Sequence, residues 1–213
     1  MTLKDQVLAA ARASPLAPRP QRNWWRDAAI VGVALAALAV ALFIAGGPAH
    51  AAGRPTEIEL WVIGGTALLA ITATLLALPR SRSMLPRSRG ELITAMTAVP
   101  LLIGLWITVW HGSYADPFIR TGLRCFALTA LTAPWPFAAL VWLRHRPDPI
   151  HPALTGGGLG TAAGAWSAVM VELWCPLASP DHVALGHVAP LALLVAAGAL
   201  AGTRLFRPPR MPP

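Results

Sequence analysis

The sequence predicts an all-α polytopic membrane protein with six transmembrane helices and both termini in the cytoplasm. Three observations carry this. Of 213 residues, 55% are apolar and only 12% are charged, where an ordinary soluble domain carries about 25% charged residues. Six stretches are apolar over the ~20 residues that a helix needs to cross a bilayer core about 30 Å thick. Basic residues fall in alternate connecting segments. The composition excludes an ordinary cytosolic enzyme, a disordered chain and a disulfide-stapled secreted domain.

The spans follow in order. Residues 28–46 and 92–110 contain no charged side chain, and residues 58–78 contain only Glu59, at the edge. Residues 122–143 have Arg124 near the start and residues 153–174 have Glu172 near the end. Residues 183–203 are uncharged but include His187. Charges at span ends can reach the interface by snorkelling, so none of these excludes a span. Turn-forming pairs mark the joints: Gly47-Pro48, Pro79 to Arg82, Asp116-Pro117, Arg146 to Pro149, and Ser179 to Asp181. The joints are short, and none could fold as a second domain. The chain divides into a tail at 1–27, a six-helix sensor domain at 28–203 and a short tail at 204–213.

Charge sets the orientation. Of the 17 Lys and Arg residues, fourteen fall in the N-terminal tail, the second and fourth loops and the C-terminus, which alternation puts on one side. Only Arg54, Arg120 and Arg124 fall on the other. The positive-inside rule then places both termini in the cytoplasm, and the inner membrane is the expected location. Ala49-His50-Ala51 resembles a signal-peptidase site, but residues 1–27 precede the apolar run and that run exceeds a usual signal core. We read the segment as a loop.

Small residues give close helix contact in lipid, where the hydrophobic effect offers no drive. Gly156, Gly160 and Gly164 share one face of the fifth span, and Gly198 and Gly202 repeat the spacing in the sixth. Both read as packing seams. Pro100, Pro134, Pro136 and Pro190 are expected to kink or open their helices. Transporters place ionisable residues at mid-membrane, and the span centres have no Asp, Glu, Lys or Arg. Thr72, Thr74, Thr129 and Thr132 are thin material for a polar path. The pattern argues against transport and against intramembrane catalysis. No nucleotide-binding or metalloprotease motif is present.

The only two cysteines, Cys125 and Cys175, fall at the same predicted membrane face, the outer one. Near that face lie His111, Asp116, Glu172, Asp181, His182 and His187. A lone cysteine in an apolar helix is ordinarily a small hydrophobe. A pair on one face with histidines nearby is a candidate sensor. Cys125 and Cys175 with two of His111, His182 and His187 could close a site for a soft metal such as Zn, Cu or Cd. Alternatively, an oxidant could join the thiols or oxidise one of them. No cofactor is obligatory; a metal would be the signal. Cys125, at a helix N-terminus beside Arg124, is expected to react first, while Cys175 sits at a helix C-terminus near Glu172, which disfavours thiolate.

In the tail, Leu3, Val7, Leu8 and Ala11 share one helical face. Pro15, Pro18 and Pro20 stop that helix, and Trp24 and Trp25 reach the interface as aromatic anchors. A short amphipathic helix on a Pro-rich tether suits a groove on a partner protein. An unstructured basic topology signal is the alternative.

The run from Arg124-Cys125 through Pro134 and Pro136 to Leu143-Arg144, the glycines of the fifth span, and Leu173-Trp174-Cys175-Pro176 together resemble the NrsF-type family of bacterial membrane anti-sigma factors. The resemblance covers essentially the whole chain. It implies a protein that holds an extracytoplasmic-function sigma factor at the inner membrane and releases it under oxidative or heavy-metal stress. It also implies that Cys125 and Cys175 sense the signal and that the sigma factor binds on the cytoplasmic side, where the tail is the candidate. The partners are then a sigma factor and membrane lipid, with no direct nucleic-acid contact and no enzymatic activity. Two rivals remain: a small-solute or metal transporter, and a thiol redox membrane enzyme.

Overall fold

The computed structural model describes residue 32 and residues 53–78, 88–144 and 150–206. The tail residues Leu3, Val7, Leu8 and Ala11, the predicted first span apart from residue 32, and His50 lie outside the described residues. Among those described there are helices and no strand.

Helix α1 runs Thr56–Ala77 and α2 runs Arg89–Val109. A capping box starts α2: Ser88 Oγ accepts the Glu91 N–H at 3.2 Å, and the Glu91 carboxylate accepts the Ser88 N–H at 3.1 Å. The helix continues through Pro100. After a 3-10 turn at His111–Ser113 come α3, Leu123–Thr132, and α4, Pro134–Arg144. Ala133 between them is helical, so the two form one rod stepped at the prolines. Helix α5 runs Pro152–Glu172, with Pro152 in the first turn, where its missing N–H costs nothing.

The last rod has three parts: α6, Pro180–Val183, a wide π turn at Ala184–Val188, and α7, Ala189–Leu205. Pro190 accounts for the wide turn. It has no N–H for the carbonyl of Gly186, and its ring would crowd that carbonyl in a regular helix. The preceding turn opens, and the Ala189 N–H reaches back to the Ala184 carbonyl. Pro190 therefore acts as expected of a helix-disturbing proline, and α7 continues beyond it.

Successive rods run in opposite directions. Arg54, Tyr114, Cys125, Glu172 and Pro176 meet at one end of the bundle. Ala77, Arg144 and Phe206 meet at the other, where Arg144 Nη1 donates to the Ala77 carbonyl at 2.8 Å. Four rods, Thr56–Ala77, Arg89–Ser113, Leu123–Arg144 and Pro180–Leu205, are long and apolar enough to cross a membrane. Their outer faces carry Leu60, Leu68, Leu101, Leu105, Leu131 and Trp135 exposed. Such continuous apolar surface suits lipid and not water.

Helix α5 packs against α1, α2, α3, α4 and α7. Nearly all its residues from Thr155 to Glu172 are buried. This explains its composition, because a helix with protein on every side needs small residues for close approach. The two glycine series pack on each other. A Cβ on Gly156 would stand 2.6 Å from Gly202 Cα, and one on Gly198 would stand 2.9 Å from Gly160 Cα. Backbone lies against backbone along this seam. Gly164 differs, since its nearest neighbours are the Leu194 and Leu191 side chains at 3.2 and 3.4 Å.

Candidate thiol and imidazole site

Four side chains converge at the Arg54 end of the bundle. The ligand atoms of Cys125, Cys175, His182 and His187 all lie within 4.8 Å of one another, and all four residues are buried. Both thiols are free. Each residue comes from a different local structure: the first turn of α3, the link after α5, α6, and the π turn.

Two sequence features bring them together. The first is a glycine pair. Gly122, just before α3, rests on Gly186 of the π turn, and a Cβ on Gly186 would stand 3.1 Å from Gly122 Cα and 3.2 Å from Cys125 Cβ. The second is the π turn itself. In a regular helix at about 100° per residue, positions five apart point about 140° away from each other. The wider turn narrows that angle, and the His182 and His187 rings stand 5.5 Å apart.

The hydrogen bonds fix which ring nitrogen is available. His182 Nδ1 is 3.0 Å from the Arg120 carbonyl, which only accepts, so Nδ1 carries the proton. His182 Nε2 then accepts from the Cys175 thiol at 3.2 Å. His187 Nδ1 is 2.9 Å from Glu172 Oε1, an ion-pair contact between two buried side chains. The carboxylate favours the proton on Nδ1 here too. His187 Nε2 is fully buried and has no hydrogen-bond partner among the described residues.

Behind the histidine stands a buried charge network. Arg54 Nη1 and Nη2 approach Glu172 Oε2 at 3.3 and 3.4 Å, and both side chains are fully buried. Arg54 Nε donates to the Tyr114 hydroxyl at 3.1 Å, which donates to the Pro176 carbonyl at 2.7 Å. Burial alone would lower the Arg54 pKa, but the Glu172 and Tyr114 oxygens outweigh it and raise it. These contacts anchor the link that carries Cys175. Asp116 Oδ1 adds a further tie by accepting the Ala178 N–H at 3.3 Å.

The thiols lie among apolar neighbours, Val171 and Leu177, with Leu128 packed against them. The hydrogen bond with Cys125, and then burial, push the Cys175 thiol up to about 11. Arg124 stacks on Trp174, 4.2 Å from the ring centre.

Of the residues singled out in the sequence, Cys125, Cys175, His182 and His187 are brought together. His111 is not. It is half-exposed and faces Asp116 Oδ2 at 3.7 Å, away from the cluster. Glu172 does not snorkel outward; Arg54 and His187 hold it inside. Arg54, Glu172 and Tyr114 were missed as site residues. The available signal was the scarcity of charge: Arg54 is one of three basic residues assigned to its membrane face, and Glu172 is the acid that a helix end would bring near it.

A family model described as "Negative regulator of sigma F" matches residues 9–207. The chain belongs to the NrsF family. A curated relative, the "Probable anti-sigma-F factor NrsF" of Azospira oryzae, is 28% identical over 156 residues, which is 69% of this chain and 71% of the relative. No solved structure matches. Membership in the NrsF family supports a regulatory role directed at a sigma factor, and the matched region includes every residue of the cluster.

Proposed function

We propose that this protein is an inner-membrane anti-sigma factor. It sequesters an extracytoplasmic-function sigma factor and releases it when Cys125 and Cys175 sense a heavy metal or an oxidant. The single observation that carries the reading is the match to the sigma-regulator family over residues 9–207, in a chain whose two free thiols lie at one end of an apolar bundle. The positive-inside bias favours an outward-facing thiol end, with both termini and the sigma factor on the cytoplasmic side. The amphipathic face of Leu3, Val7, Leu8 and Ala11 is the docking element.

Modification or metalation of the thiols would shift the bundle between a sigma-holding and a sigma-releasing state. A signal moves that balance only by its differential affinity for the two states. The closely packed α5 and α7 connect the thiol end to the other end of the bundle. Such packed backbones are suited to two discrete arrangements rather than gradual deformation. Three of the four threonines favour this reading over a polar transport path. Thr72, Thr74 and Thr132 each donate their hydroxyl to a carbonyl of their own helix at 2.8 Å.

Co-purification tests the reading. The full chain, solubilised with its cellular partners, should retain a sigma factor, and Leu8→Asp should lose it. Retention unchanged after removal of residues 1–22 would put the interface elsewhere. Absence of any sigma factor from the wild-type complex would overturn the function.

A further inference from the structure

We propose that Cys125, Cys175, His182 and His187 form a closed four-ligand site for one divalent thiophilic ion of the zinc and cadmium class, with Glu172 and Arg54 as its positioning residues. This rests on the reading of the thiol end as the signal end, and it names the ligand and the residues that select it.

The geometry fits. Two sulfurs on one zinc ion stand at most about 4.6 Å apart, given a Zn–S bond of about 2.3 Å. The four ligand atoms already lie within 4.8 Å, so closure needs only small side-chain rotations. Both histidines present Nε2 to the thiols because each Nδ1 faces an oxygen, that of Arg120 for His182 and that of Glu172 for His187. A histidine held through its other nitrogen by a carboxylate or a carbonyl is the usual outer shell of a metal ligand. His187 Nε2, buried and without a hydrogen-bond partner among the described residues, is the group a metal would satisfy.

Charge selects the class of ion. On binding, each Sγ–H bond breaks, its proton passes to solvent, and the sulfur lone pair forms the metal bond. Two protons leave per ion. A divalent ion with two thiolates and two neutral imidazoles sums to zero, and so does the Arg54–Glu172 pair behind it. A monovalent ion would leave one uncompensated negative charge in a buried site, which is costly. Glu172 is then needed as a carboxylate with its own counter-charge, so that it can orient His187 without adding net charge. Arg54 supplies that charge and holds the carboxylate in place.

The test uses the full chain in lipid nanodiscs, with Co²⁺ as the spectroscopic probe and Zn²⁺ and Cd²⁺ as competitors. The expected result is one Co²⁺ per chain, showing sulfur-to-cobalt charge transfer and tetrahedral absorption, displaced by either competitor. X-ray absorption of the zinc-loaded wild type should show two sulfurs and two nitrogens. Glu172→Gln and Arg54→Lys should keep that absorption pattern while binding about 10–100-fold more weakly. A shell without nitrogen, tighter binding of monovalent copper than of Cd²⁺, or unchanged zinc affinity in Glu172→Gln would each overturn the proposal. The wild-type absorption needs no variant, so a misfolded substitution leaves it decisive. Sigma-factor retention on the same preparations separates the two readings. A chain that holds the sigma factor but no ion sinks the site alone, and one that holds the ion but no sigma factor sinks the regulator reading alone.

Discussion

Gly122 lies directly against Gly186, and this backbone contact sets Cys125 beside the two imidazoles. A Cβ on Gly122 would stand 2.7 Å from the His182 carbonyl oxygen and 2.8 Å from Gly186 Cα. Because the obstacle is backbone, the first turn of α3 must move away. Gly122→Ala should therefore separate the thiols, lowering the yield of an oxidant-induced Cys125–Cys175 disulfide several-fold. The strain should cost about 1–3 kcal/mol. Mass spectrometry of the peroxide-treated protein reads the yield directly.

The α5–α7 seam gives a contrast within one helix. Gly198→Ala forces a Cβ onto the Gly160 backbone and should lower stability by about 1–3 kcal/mol. Gly164→Ala meets leucine side chains that can rotate, so it should cost much less. Thermal unfolding in detergent, compared for the two variants, checks this order.

Arg54 and Glu172 share one buried contact, so removing one partner strands the other. Arg54→Met should destabilise by about 3–5 kcal/mol. Arg54→Met combined with Glu172→Gln should recover more than half of the loss, because the orphaned charge is gone. A double-mutant cycle on unfolding temperature measures the coupling.

The Cys175 thiol, pushed up to about 11, should be a poor nucleophile at neutral pH. Its alkylation rate in the wild type should rise about tenfold per pH unit from 7 to 9, with no plateau below 10, because only the thiolate reacts. The sign for stability follows. The fold holds this proton more tightly than the unfolded chain does, so the contribution is full below the ordinary thiol value and is lost as pH climbs towards 11. Peptide-resolved labelling kinetics give the slope, and Cys125 should label first.

Much of the bundle was legible in the sequence because hydropathy and helix length are local properties. The five described rods lie where apolar runs at 58–78, 92–110, 122–143, 153–174 and 183–203 put them. The glycine spacing of α5 and α7 announced a seam, and the seam forms between those two helices. The cysteines were expected at one end by counting crossings. What stayed hidden depends on three-dimensional detail. Nothing in residues 182–187 signals that Pro190 will widen the preceding turn and swing His187 towards His182. His111 looked equivalent to them by position alone, yet it faces Asp116. Arg54 and Glu172, 118 positions apart, read separately as ordinary interfacial charges; only the fold makes them a pair.

The most direct measurement is a sigma-dependent reporter in cells carrying the wild type, Cys125→Ser or Cys175→Ser, exposed in turn to cadmium, zinc, copper and peroxide. The account predicts that the wild type releases its sigma factor under at least one of these signals and that each serine variant fails to respond to that same signal while still repressing the reporter beforehand. A serine variant that represses and is induced like the wild type would contradict it.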